Sequence, residues 1–186
     1  MHTYVVLLRG INVGGKNIIP MAGLRTCLEE HGFSHVSTYI ASGNVLLKSG
    51  LDANEVKTQI EGVLSENFQL SDGFIKVWVL TPPQLQAVIE HKPKGFGEQP
   101  ELYHSDVIFL MGVEAAVALP AFSPREGVDQ VWAGDGVVYS QRLSSERTKS
   151  RLNKIMESPL YKSMTIRNWN TTTKLLELLR KMDGQV

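Results

Sequence analysis

Thr3 to Leu8 is nearly all apolar and β-prone, the pattern of a central strand covered on at least one face. It stops at Arg9-Gly10, and a glycine-rich loop follows. Pro20 then sits where a first-turn proline belongs, and Met21, Leu24, Cys27 and Leu28 recur at helical spacing up to the stop signal His31-Gly32. Val36 to Ala41 and Val45 to Lys48 are short β-rich runs around Ser42-Gly43-Asn44, the pattern of a hairpin. Val56, Ile60, Val63 and Leu64 mark a second helix, and Phe74 to Leu80 alternates as a strand does. The order β-α-β-β-α-β predicts a ferredoxin-like subdomain over residues 1–80.

Residues 81–186 read as a second, degenerate ferredoxin-like subdomain with C-terminal helices, which makes the chain α+β. Pro82 to His91 has helical spacing, and Lys92 to Glu101, rich in Pro, Gly and charge, reads as a loop. His104 to Gly112 repeats the apolar strand that ends in glycine, and Gly127 to Gln141 repeats the hairpin, around Gly134-Asp135-Gly136. Setting Tyr39 to Leu46 beside Val131 to Val138 aligns the two turns without a gap. Ser144 to Met156 and Asn168 to Met182 then read as helices, with no closing strand evident.

Charge changes the picture only locally. Lysine plus arginine and aspartate plus glutamate both number 19, so bulk charge gives no attraction to nucleic acid or to an anionic membrane. Between Gln141 and Lys174, however, eight basic residues face two acidic ones. On a helix, Arg147, Arg151 and Lys154 would share a face, either as a solvated surface or as a contact for nucleic acid or a polyphosphorylated ligand. No apolar run reaches the length of a membrane span, and the single cysteine, Cys27, excludes an internal disulfide framework. The expectation is a cytoplasmic protein with no membrane partner, no metal and no cofactor.

Gly10-Ile11-Asn12-Val13-Gly14-Gly15-Lys16-Asn17 follows a strand and precedes a helix. It satisfies G-x-x-x-x-G-K but has Asn17 where a phosphate loop needs a hydroxyl for magnesium. No apolar strand ending in Asp supplies a second magnesium ligand, so nucleotide hydrolysis is not expected. Two readings remain, glycines serving a tight loop and a loop that cradles an anion on its backbone N–H groups. In the β-α-β-β-α-β order, this loop and the Ser42 turn leave the same end of the sheet. Arg9, Asn12, Gly14, Gly15, Lys16, Ser42 and Asn44 are therefore candidate ligand-binding residues. Near the other terminus, Asn168 reads as the cap of a helix docked by Trp169, or else Arg167, Asn168 and Asn170 face an anion, with Arg151 on the basic face as a further candidate.

Three motifs, Leu8 to Lys16, Tyr39 to Val45 and Thr165 to Thr171, together resemble the bacterial family catalogued as domain of unknown function 1697, and the resemblance runs from end to end. It implies two α/β subdomains built on ferredoxin-like units, and it implies no activity. It also leads one to expect a larger polar residue, often glutamine, where this chain has Ala41. The function expected is binding of a phosphorylated ligand, nucleotide or nucleic acid at the glycine-rich end of the first subdomain. The alternative is an enzyme acting on a small phosphorylated or carboxylated metabolite, with Arg9 and Lys16 as electrostatic clamps, although the sequence shows no acid–base pair for it. The oligomeric state is not legible.

Overall fold

Alternating apolar positions in β1 (His2–Leu8) place Tyr4, Val6 and Leu8 on one face of a strand whose other positions, Val5 and Leu7, are also fully buried. In the computed structural model, which describes residues 1–184, β1 pairs antiparallel with β3 (Asn44–Ser49) and with β4 (Val77–Leu80). β2 (Ser34–Tyr39) lies outside β3, giving the order β2-β3-β1-β4. This is the sheet that a β-α-β-β-α-β chain forms when each helix returns it to the same sheet.

Two helices cover the Tyr4–Val6–Leu8 face. From α1 (Met21–Glu30) come Leu24, Cys27 and Leu28, and from α2 (Ala53–Asn67) come Val56, Ile60, Val63 and Leu64. The start of α2 is fixed by a full capping box. The Asp52 carboxylate accepts from the N–H groups of Asn54 and Glu55, and Glu55 accepts from the N–H of Asp52. Pro20 stands at the N-cap of α1, one position before the first turn.

After α3 (Pro82–Glu90) the pattern repeats. β5 (Tyr103–Leu110) pairs antiparallel with β7 (Val137–Leu143) and β8 (Met164–Asn168), and β6 (Asp129–Ala133) lies outside β7, in the order β6-β7-β5-β8. The second copy therefore does have a closing strand. Its residues, Met164 to Asn168, had read as the approach to the last helix because five residues are too few to show a period. The four-residue α4 (Ala115–Ala118) stands in for the first helix of the unit. Ile108, Leu110, Val138 and Met164 pack against Ala118, Phe122, Leu152 and Ile155.

The expected helix over Ser144 to Met156 is absent. The chain there makes short 3-10 segments, Ser144–Lys149 and Leu152–Glu157, followed by Pro159–Ser163. Extended backbone at Ser150 and Ser158 separates them. The C-terminal helices thus reduce to one, α5 (Trp169–Met182). The two hairpin turns also differ in length. Four residues separate the paired Tyr39 and Asn44, whereas only Asp135 and Gly136 separate Gly134 from Val137. The two turns therefore align only with a two-residue gap, and not without one as the sequence suggests.

The chain forms two compact units, Met1–Gln86 with the segment from Lys174 onward, and Ala87–Thr173. Among the described residues, no helix is long and apolar enough to cross a membrane.

Candidate functional site

The glycine-rich loop is a miniature hairpin. Asn12 N–H donates to Asn17 O at 3.1 Å and Lys16 N–H to Val13 O at 3.1 Å, so Gly14 and Gly15 form the two-residue tip. Both have positive φ, +60° and +73°, as a type I′ turn requires. A Cβ at either would meet nothing within 4 Å, so the requirement for glycine there is one of backbone conformation and not of space. Among the described residues the N–H groups of Gly14 and Gly15 have no acceptor, and the exposed Lys16 has no ionic partner.

Side-chain amides staple this hairpin to its neighbours. Asn12 Nδ2 donates to Ile19 O at 3.0 Å and to Ala41 O at 2.8 Å, while its Oδ1 accepts from Ile19 N–H at 2.8 Å. Asn17 donates to Gly10 O and accepts from Ser71 N–H. Arg9 N–H donates to Lys76 O, and Leu8 N–H to Gly43 O at 2.8 Å. The fully buried Asn44 donates to Tyr39 O and to Ser42 Oγ, both at 3.0 Å. Arg9, Asn12, Gly14, Gly15, Lys16, Ser42 and Asn44 are thus assembled at one end of the first sheet. Within that group the Asn12 and Asn44 side chains are braces, leaving the Gly14–Gly15 tip and Lys16 as the outward-facing parts.

Ile40 reads in the sequence as part of a β-rich run but lies beyond the end of β2. It adopts φ +50° although β-branched, and half of it is exposed. Left-handed backbone and exposed apolar surface are both unfavourable for isoleucine. Ile40 and Ala41 lie in the longer first turn, where Ala41 offers its carbonyl to Asn12.

The remaining candidates belong to the second unit. Arg151 is exposed, and its backbone N–H donates to Asp129 at 2.8 Å. Because its segment is broken into 3-10 turns with a non-helical Glu146, the common helix face expected for Arg147, Arg151 and Lys154 does not form. Arg167 is 6% exposed, on β8, and donates to Thr165 Oγ1 at 2.9 Å and Ile166 O at 2.8 Å. Burial pushes its pKa down to about 10. Asn168 caps α5 by accepting from Thr171 N–H at 2.8 Å.

Asn168 and Asn170 also line a small cleft, of about 110 Å³, with Tyr103, His104, Ser105 and Trp169. The sequence marks Trp169 only as the residue that docks the helix and gives no ligand role to Tyr103, His104 or Ser105. One signal was available: His-x-Asp on a strand puts both side chains on one face, and His104 Nε2 lies 3.0 Å from Asp106 Oδ1. Gly97 borders the same cleft, where a Cβ would fall 2.5 Å from the Trp169 ring.

A family model described as "Protein of unknown function (DUF1697)" matches residues 1–139. Among solved structures the chain is similar to the conserved bacterial protein SP0830 from Streptococcus pneumoniae. The two are 26% identical with a TM-score of 0.79, over 96% of this chain and 98% of that one. Comparison with curated proteins finds no match.

Proposed function

We propose, for a chain that belongs to the DUF1697 family, that the Gly14–Gly15 end of the first unit binds the phosphate of a phosphorylated small molecule, a nucleotide or a nucleic acid. The observation that carries this reading is the pair of adjacent left-handed glycines whose N–H groups have no acceptor among the described residues, next to a lysine without an ionic partner. Successive unpaired backbone N–H groups make a concave donor surface suited to an oxyanion, and an ammonium beside them adds charge. The neighbouring loops lean the same way. Segments 9–18, 40–44 and 69–76 carry Arg9, Lys16 and Lys76 against the single acidic residue Asp72.

Support also comes from the rigidity of the platform. Because Asn12, Asn17 and Asn44 hold the loops through side-chain hydrogen bonds, a ligand need not order them on binding. Thermal denaturation in the presence of inorganic phosphate, a panel of nucleotides and short oligonucleotides tests the reading. One-site binding at 100 times Kd stabilises by about 2.7 kcal/mol, enough for a clear rise in midpoint. Lys16→Ala should remove that rise without lowering the ligand-free midpoint. An equal rise in wild type and Lys16→Ala, or none with any phosphate compound, would reject it.

A further inference from the structure

The internal repeat allows one unit to be compared with the other position by position. Leu8 N–H donates to Gly43 O and Leu110 N–H to Gly136 O, so Leu8 and Leu110 occupy the same place. Counting back along β1 and β5, Thr3 corresponds to Ser105. Their partners across the sheet, Lys48 and Gln141, correspond in turn. In each unit the central strand outruns its short neighbour: β4 pairs only as far as Val5 and β8 only as far as Asp106. On that side, pairing thus stops before Thr3 in the first unit and before Ser105 in the second.

In the first unit a carboxylate fills that place. Thr3 Oγ1 donates to Asp183 Oδ1 at 2.5 Å, and Lys48 Nζ lies 3.6 Å from the same oxygen. In the second unit the place is the open cleft described above. Its hydroxyl is retained, since serine replaces threonine. Ser105 Oγ donates to Gln141 Oε1 at 2.8 Å, and Gly97 N–H donates to the same oxygen at 3.1 Å. Rotation of the Ser105 hydroxyl toward a ligand therefore leaves Gln141 still paired. The other polar groups of the cleft are available as donors. Asn168 has its oxygen committed to Thr171, which leaves its NH2 group, and the Asn170 carboxamide has no partner among the described residues.

We propose that the cleft beside Ser105 is a carboxylate site, taking a small carboxylic acid where the first unit holds its own Asp183. The Ser105 hydroxyl and the amides of Asn168 and Asn170 donate to the carboxylate, and Trp169 packs against the ligand's carbon atoms. With neutral Gln141 in place of Lys48, the positive charge of the first unit's site is absent. Recognition therefore rests on hydrogen bonds, and His104 borders the cleft with its Nε2 turned to Asp106, 3.0 Å away.

The site is independent of the phosphate reading for the first unit, and its test uses a different reporter. The full chain is titrated with acetate, lactate and succinate while the indole N–H proton of Trp169 is followed by NMR, assigned with a Trp169→Phe variant. A saturable shift is expected. Asn170→Ala, an exposed substitution, should weaken binding about tenfold, the scale of one hydrogen bond to a charged acceptor. Ser105→Asp should abolish binding by placing a carboxylate in the site, and Thr3→Ala should leave it unchanged. The proposal is overturned by the absence of a saturable shift, by undiminished binding in Asn170→Ala with native circular dichroism, or by phosphate displacing acetate at equal concentration.

Discussion

Three glycines with similar φ values differ in what a side chain would meet. Gly14 at +60° faces open space, so Gly14→Ala should cost only the left-handed penalty, about 1–2 kcal/mol. At Gly43, with φ +86°, a Cβ would also lie 2.9 Å from Leu8 Cβ and 3.0 Å from Ile11. Gly43→Ala should lose a further amount of about 1–3 kcal/mol through overpacking, and urea denaturation of the two variants measures the difference. Gly97→Ala belongs with Gly43, because its Cβ would meet the Trp169 ring. Ile40 is the converse case. Ile40→Asn keeps the turn but removes a β-branched residue from φ +50°, so a gain of about 1 kcal/mol and a midpoint rise of roughly 2–4 °C are expected. Unchanged stability would show that the turn relaxes without cost.

Elements with their own period and stop signals were legible from sequence. α1, α2 and β1 lie where apolar spacing put them, because each buries a face long enough to show its repeat, whereas β2 ends at Tyr39 and leaves Ile40 and Ala41 to the turn. β8 was not legible. Five residues pair with a strand some sixty positions earlier, and nothing local distinguishes them from the approach to a helix. The segment from Ser144 carried a helical spacing, yet its extended breaks at Ser150 and Ser158 arise from local backbone choices that apolar periodicity does not record. The same division holds for the candidate sites. The convergence of the 10–17 loop with the Ser42 turn follows from strand order, whereas the cleft at Ser105 depends on where β8 stops. β7 illustrates what burial does to a polar group inside an element. Tyr139 donates to Val88 O at 2.5 Å, and burial, with the Asp135 charge second, pushes its pKa up to about 12 from 10. A raised pKa means the folded state holds the proton more tightly. The stability this contributes is complete below pH 10 and is lost as pH rises toward 12. Tyr139→Phe should cost about 1 kcal/mol at pH 7 and flatten the fall in stability between pH 10 and 12, as read by denaturant midpoints across that range.

At the scale of the whole molecule, one sheet order is built twice and the two copies are finished differently. Long helices and a complete capping box cover the first, while the second makes do with α4 and 3-10 segments. α5 begins in the second unit, and its residues from Lys174 onward count with the first, where Asp183 meets Thr3 across 180 positions of sequence. Thr3 alternates with Val5 and Leu7 on the face of β1 turned away from α1 and α2, so this bond marks where the turn after α5 lies against the first sheet. A double-mutant cycle measures it. Thr3→Val and Asp183→Asn should each destabilise, and the pair together by less than the sum, with a coupling of about 1.5–3 kcal/mol for a hydrogen bond to a charged acceptor. Lys48, 23% exposed in its ion pair, should add little, so Lys48→Met is expected to change stability by less than about 1 kcal/mol. Additivity of the Thr3 and Asp183 substitutions within about 0.5 kcal/mol would mean that Asp183 does not close on β1. The first unit's carboxylate would then cease to be a guide to the ligand of the second.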